Sequence, residues 1–133
     1  LQIGSNIFMD GEYGSMQTEP RSLRESFENR LFVITSVMSM PTPVRAVCDA
    51  GLKAQNIDSG LPTIRNNSSL SYLQPSDEHG IIEDPAQSLE LGDKLWLIPG
   101  HCDPTVNLHD WYVGVRNSRV ECLWPVSARG MIL

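Results

Sequence analysis

Lysine is almost missing from this chain. Only Lys53 and Lys94 occur in 133 residues, and ten cationic side chains face sixteen carboxylates for a formal net charge of −6. A nucleic-acid backbone is gripped by clustered Lys and Arg, so eight scattered arginines and two lysines argue against a nucleic-acid role. Long apolar runs are also missing. No stretch approaches the roughly 20 residues of a membrane helix, and Leu1 to Asp10 has neither the basic start nor the long apolar centre of a secretion signal. Cysteine is scarce: Cys48, Cys102 and Cys122 form an odd set without paired spacing. That fits reduced thiols in a cytoplasmic protein better than a disulfide scaffold or a zinc ribbon, with Cys48 and Cys122 expected in the core. No Gly-rich turn leading into a helix is present to cradle a phosphate.

What remains reads as one soluble globular domain, with 41% hydrophobic and 20% charged residues. A chain of this length buries about two-thirds of its unfolded surface. Helical periodicity is nearly absent, whereas short apolar runs broken by Gly, Pro, Asn and Ser recur. The expected strands are Ser5 to Asp10, Leu31 to Met38, Val44 to Asp49, Leu70 to Leu73, Glu78 to Glu83, Lys94 to Ile98, Trp111 to Arg116 and Arg119 to Trp124. The second is read as a buried strand stopped by Pro41 and Pro43, and the last two as a hairpin turning at Asn117-Ser118. Gly11 to Pro20 is an expected loop, Ser22 to Asn29 an expected helical turn with Ser22 as its cap, and Leu52 to Ile64 irregular. About eight short strands predict an all-β fold, a small barrel or sandwich.

Chemistry concentrates between Pro99 and Arg116. If Leu95 to Pro99 is a strand and the chain stays extended past Gly100, the two-residue period puts His101 and Asp103 on one side and Cys102 on the other. An imidazole nitrogen beside a carboxylate oxygen suits manganese, zinc or magnesium, and two protein ligands leave the positions open that a catalytic ion needs. The bland alternative is a turn whose carboxylate caps the residues that follow. His79, in Asp77-Glu78-His79-Gly80, is read as a turn residue rather than a third ligand, and His109 and Asp110 as structural groups. Trp111 and Trp124 are expected in the core or an interface. Tyr112 is an active-site candidate. Asp49 and Asp58 could form a paired-carboxylate site only if the fold brings them together.

The run from Pro99 to Arg116, with Leu123-Trp124-Pro125-Val126-Ser127-Ala128-Arg129-Gly130, resembles the C-terminal domain of the D-threonine aldolase and D-serine dehydratase family. So do Ile7-Phe8-Met9-Asp10, Ala46-Val47-Cys48-Asp49-Ala50-Gly51-Leu52-Lys53-Ala54, Asp58-Ser59-Gly60-Leu61-Pro62 and Ser76-Asp77-Glu78-His79-Gly80, in the expected order. The resemblance implies the plan of alanine racemase: a barrel carrying pyridoxal phosphate, then a β-rich C-terminal domain, with a divalent metal assisting the chemistry. Only the second part is expected here, residues 1–133 forming a metal-bearing β domain and apparently a C-terminal fragment, since a (β/α) barrel needs about 250 residues. Neither Lys53 nor Lys94 matches the lysine that anchors the cofactor, so the isolated chain is expected to be inactive. The metal pair implied is His101 and Asp103, manganese first. The aldolase branch resembles His-x-Asp at this point and the dehydratase branch His-x-Cys, so Asp103 makes the chain look aldolase-like, cleaving a D-3-hydroxy amino acid to glycine and an aldehyde. The expected partners are the barrel domain and a second copy in a homodimer or other self-association. The alternatives are a D-serine dehydratase-like domain, a non-catalytic dimerisation or interaction module, and a small metal-dependent hydrolase.

Overall fold

The computed structural model describes residues 7–11 and 28–131. Among these residues, eight strands and one short helix follow in chain order: β1 (Val33–Thr42), β2 (Arg45–Cys48), β3 (Thr63–Ile64), β4 (Ser71–Pro75), β5 (Gly80–Glu83), β6 (Lys94–Ile98), α1 (Cys102–Val106), β7 (Trp111–Arg116) and β8 (Arg119–Pro125). Six of the strands make one antiparallel sheet in the order β3-β6-β1-β2-β5-β4, and β7 and β8 pair separately. The two edge strands, β3 and β4, lie against each other, so the sheet curls into a nearly closed barrel. The expected all-β class is what the chain adopts.

The pattern of β1 differs from the expected fully buried strand. Val33, Thr35 and Val37 point into the core, while Ile34 and Met38 are exposed. The strand also runs through Pro41 instead of stopping before it. The register shifts between Ser39 and Thr42, and at such an irregularity a residue without an N–H costs the ladder little. Thr42 then pairs with Arg45 across a two-residue turn, which brings β2 back alongside β1.

The barrel closes on Val33, Val37, Ala46, Cys48, Ile64, Tyr72, Ile82, Leu95 and Leu97, one apolar face from each strand. Two of the polar groups inside it are paired as follows. The Tyr72 hydroxyl donates to the Ala50 carbonyl at 2.7 Å. Asp84 is fully buried, and its carboxylate accepts from Leu89 N at 2.8 Å and Ser88 Oγ at 3.0 Å, which ties down the loop between β5 and β6. Tyr72 needs the glycine opposite it, because a Cβ on Gly80 would lie 2.4 Å from the phenol ring. Asn117 and Ser118 take φ of 49° and 59°, the left-handed pair of the tight hairpin turn expected from the sequence.

The expected strand at Ser5 to Asp10 is not seen among its described residues. Ile7 to Asp10 forms a turn in which Met9 has φ 49° and both Met9 and Asp10 are buried. Almost all of the expected loop at Gly11 to Pro20 and helical turn at Ser22 to Asn29 lies outside the described residues. Among the described residues, no helix is long and apolar enough to cross a membrane.

Candidate functional site

The chain leaves β6 through Pro99 and Gly100 and reaches His101 still extended, at φ −139° and ψ 125°. It does not stay extended, and this corrects the expected geometry. At Cys102 the backbone turns into α1, so Asp103 sits in a first helical turn, and the alternation of an extended chain does not place it relative to His101. Pro104 is tolerated there because the first N–H groups of a helix have no partner within it. The His101 side chain does not cap the helix. Instead the carboxylate of buried Asp10, 92 residues earlier, accepts from Cys102 N at 2.9 Å. Buried Thr105 donates its hydroxyl to His101 O at 2.8 Å and accepts from Asn56 N at 3.1 Å, which fastens the turn to the loop after β2.

His101 is half-buried. Its Nδ1 lies 3.4 Å from Oδ1 and Oδ2 of Asp58 and 3.4 Å from the Ser59 hydroxyl. Asp103, two residues on, is exposed. Cys102, as expected, faces away, although helix geometry and not extended chain is the reason. It is fully buried, and burial first, then the Asp10 charge, pushes its thiol up to about 12. Tyr112 on β7 is partly buried and stacks on Phe8 with ring centroids 5.9 Å apart. Burial raises its pKa, and the charges of Cys102 and Asp103 add to the rise, so the phenol belongs to the same electrostatic neighbourhood.

The remaining candidates separate. Asp49 and Asp58 take different partners: Asp49 accepts from Thr35 Oγ1 at 2.5 Å and Ser36 N at 2.8 Å, and Asp58 faces His101. Burial pushes the Asp49 carboxyl up, but those two hydrogen bonds, its own backbone N–H and the Lys94 charge together hold the group below the ordinary carboxylate range. His79 is an exposed turn residue whose backbone bonds Ser76 in both directions. His109 places Nε2 2.7 Å from the Ala54 carbonyl, and Asp110 pairs with Arg129. Trp111 and Trp124 are both largely exposed and not in the core, because the two-stranded ribbon stands apart from the barrel. Cys122 is half-buried, and Cys48 is in the core as expected. Among the described residues, no group of three or more His, Cys, Asp or Glu could hold a metal ion. The roles of Asp10 and Asp58 toward this turn were not foreseen. The only local sign was the turn-forming run Asp58-Ser59-Gly60.

The family model of the serine dehydratase domain matches residues 31–115. Over 132 residues the chain is 55% identical to the 3-hydroxy-D-aspartate aldolase of Paracoccus denitrificans strain Pd 1222 and 47% identical to the D-threonine aldolase of an Arthrobacter species, matches that cover 98% of this chain and 34% of each relative. The crystal structure of the D-threonine aldolase from Filomicrobium marinum matches with a TM-score of 0.88 at 40% identity, covering 96% of this chain and 35% of that one. The chain therefore spans about a third of the length of the relatives it matches. With the family model aligned across the barrel strands and the His101 turn, this chain belongs to the serine dehydratase domain family, with D-threonine aldolase and 3-hydroxy-D-aspartate aldolase among its homologues.

Proposed function

We propose that this chain is the metal-bearing β domain of a pyridoxal phosphate-dependent lyase of the D-threonine aldolase type, acting in the cytoplasm on D-3-hydroxy amino acids to yield glycine and an aldehyde. The observation that carries the reading is the His101 turn: with Nδ1 facing Asp58, the other ring nitrogen is left for an ion, and the carboxylate of Asp103 is exposed beside it in the sequence. One imidazole and one carboxylate fit manganese first, with zinc or magnesium as alternatives. When bound, pyridoxal phosphate supplies the sink for the electron pair at Cα and the divalent ion the positive charge that favours an ionised 3-hydroxyl.

In this reading His101 and Asp103 hold the ion, and Asp10 and Thr105 keep the turn that carries them in shape. Cys102 points inward with a thiol that stays protonated, so it does not compete as a ligand. Tyr112, with its raised pKa, keeps its proton and can donate a hydrogen bond near Asp103. Neither lysine is the cofactor's anchor: Lys53 pairs with Glu78 at 2.7 Å and Lys94 donates to Ser36. A barrel domain outside this chain therefore supplies the anchor, and the chain alone is inactive. The exposed apolar face of the β7–β8 hairpin, with Trp111, Val113, Val115, Val120 and Leu123, supports an interface there with that barrel or with a second subunit.

Calorimetric titration of manganese into the chain tests the site. Saturable binding is expected, and its loss in both His101→Ala and Asp103→Ala. No saturable binding by the unaltered chain, or binding retained in both variants, refutes the assignment. The matched family's name favours a dehydratase as the second reading. The complete enzyme would then release a keto acid and ammonia in place of glycine and an aldehyde.

A further inference from the structure

We propose that Asp58 is a positioning residue for His101: held on a loop seated against Gly100, it accepts the hydrogen bond from Nδ1–H and so leaves Nε2 unprotonated as the nitrogen that meets the metal. The proposal rests on the metal reading of His101 and Asp103 given above.

A neutral imidazole carries one N–H and one bare nitrogen, and whichever partner faces Nδ1 decides which is which. An ionised carboxylate only accepts. Nδ1 sits midway between the two Asp58 oxygens, 3.4 Å from each, so the carboxylate faces the ring nitrogen with both lone-pair sets. The Ser59 hydroxyl, also at 3.4 Å, can accept alongside it. These distances are long for a single strong hydrogen bond. The charge of the acceptor and the rigidity of its support do the positioning.

That support is built from both sides of His101. Before it, the backbones of two glycines meet: a Cβ on Gly100 would lie 2.2 Å from the Gly60 carbonyl oxygen, and Gly60 itself has φ 117°. Gly100 is needed for the close approach, and Gly60 for its left-handed backbone. After it, buried Thr105 receives Asn56 N and bonds back to His101 O. Within the loop, the Asn56 side chain accepts from Asp58 N at 2.7 Å, Asp58 Oδ1 accepts from Ser59 N at 2.9 Å, and Gly60 N bonds Ile57 O at 3.1 Å. Asp58 has about half of its side chain exposed, yet its backbone has little freedom. Carboxylates that orient a ligating histidine are worth about 10–100-fold in metal affinity.

The test combines two readouts on the chain, its Asp58→Ala and Asp58→Asn variants, and His101→Ala. The first is the 15N shifts of the histidine ring nitrogens in metal-free protein, at a pH above the imidazole range. The chain has only three histidines, and His101→Ala assigns the signal. The second is manganese affinity by calorimetry. Expected are a protonated Nδ1 and a bare Nε2 in the unaltered chain, mixed tautomers in Asp58→Ala, and a loss of affinity of about 10–100-fold. Asp58→Asn keeps the acceptor for Ser59 N and so preserves the loop if the alanine variant unfolds; it too is expected to lose the single tautomer. A protonated Nε2 in the unaltered chain overturns the proposal. So does manganese affinity that falls in His101→Ala but not in either Asp58 variant, a result that leaves the metal site standing. Affinity indifferent to His101→Ala removes the metal reading itself, and the role of Asp58 with it.

Discussion

Replacing Tyr72 by Phe separates two energies that the barrel core combines in one side chain. The ring is 5% exposed, packs on Gly80 and stays in place in the variant. Only the hydroxyl and its 2.7 Å bond to Ala50 O are lost. The carbonyl is not orphaned, since Gln55 Nε2 still donates to it at 3.3 Å, so the cost at neutral pH is about 1 kcal/mol. The hydroxyl also makes the fold sensitive to alkali. Burial pushes its pKa from 10.0 up to about 12. The folded state thus holds this proton more tightly than the unfolded chain does, so the contribution is complete below pH 10 and drains away as pH rises toward 12. By linkage the loss is about 1 kcal/mol at pH 11 and about 2 kcal/mol at pH 12. Urea unfolding followed by tryptophan fluorescence from pH 7 to 11 is the assay. The variant is expected to be less stable at neutral pH and to draw level with the unaltered chain between about pH 10 and 11. The alkaline contribution of Cys102 is common to both proteins and cancels in the difference. Two stability curves that stay parallel to pH 11 would refute the reasoning.

Asp10→Ala removes the acceptor for Cys102 N at the start of α1 and one cause of the raised thiol pKa; a loss of about 1 kcal/mol and a lower thiol pKa, read from thiolate absorbance, are expected, and an unmoved thiol titration counts against the contact. Because Asn117 and Ser118 both take positive φ, Ser118→Gly relieves strain at the hairpin turn and should raise stability by about 0.5 kcal/mol in urea unfolding; a lower midpoint contradicts the turn geometry.

Most of the strands could be read from local chemistry. Lys94–Ile98 and the hairpin of Trp111–Arg116 with its turn at Asn117-Ser118 appear where apolar alternation and turn residues put them. The failures share a cause. Leu31 to Met38 read as buried on both faces because Ile34 and Met38 are apolar, but burial depends on what covers a strand, and nothing described covers the outer face of β1. Ser5 to Asp10 read as a strand, whereas Met9 and Asp10 are drawn inward, with Asp10 serving a helix that starts at Cys102.

At the candidate site the division is the same. Residue types together with the family resemblance marked His101 and Asp103 as donors, whereas Cys102 was set aside on an extended-chain period that the helix replaces. That Nδ1 of His101 faces the Asp58 carboxylate, 43 residues away in the chain, depends on the loop of Asp58 resting against Gly100. Periodicity describes neighbours within one element. Contacts such as Gly60 on Gly100, Asn56 on Thr105 and Asp10 on Cys102 arise from the way the barrel closes, and no local pattern records them.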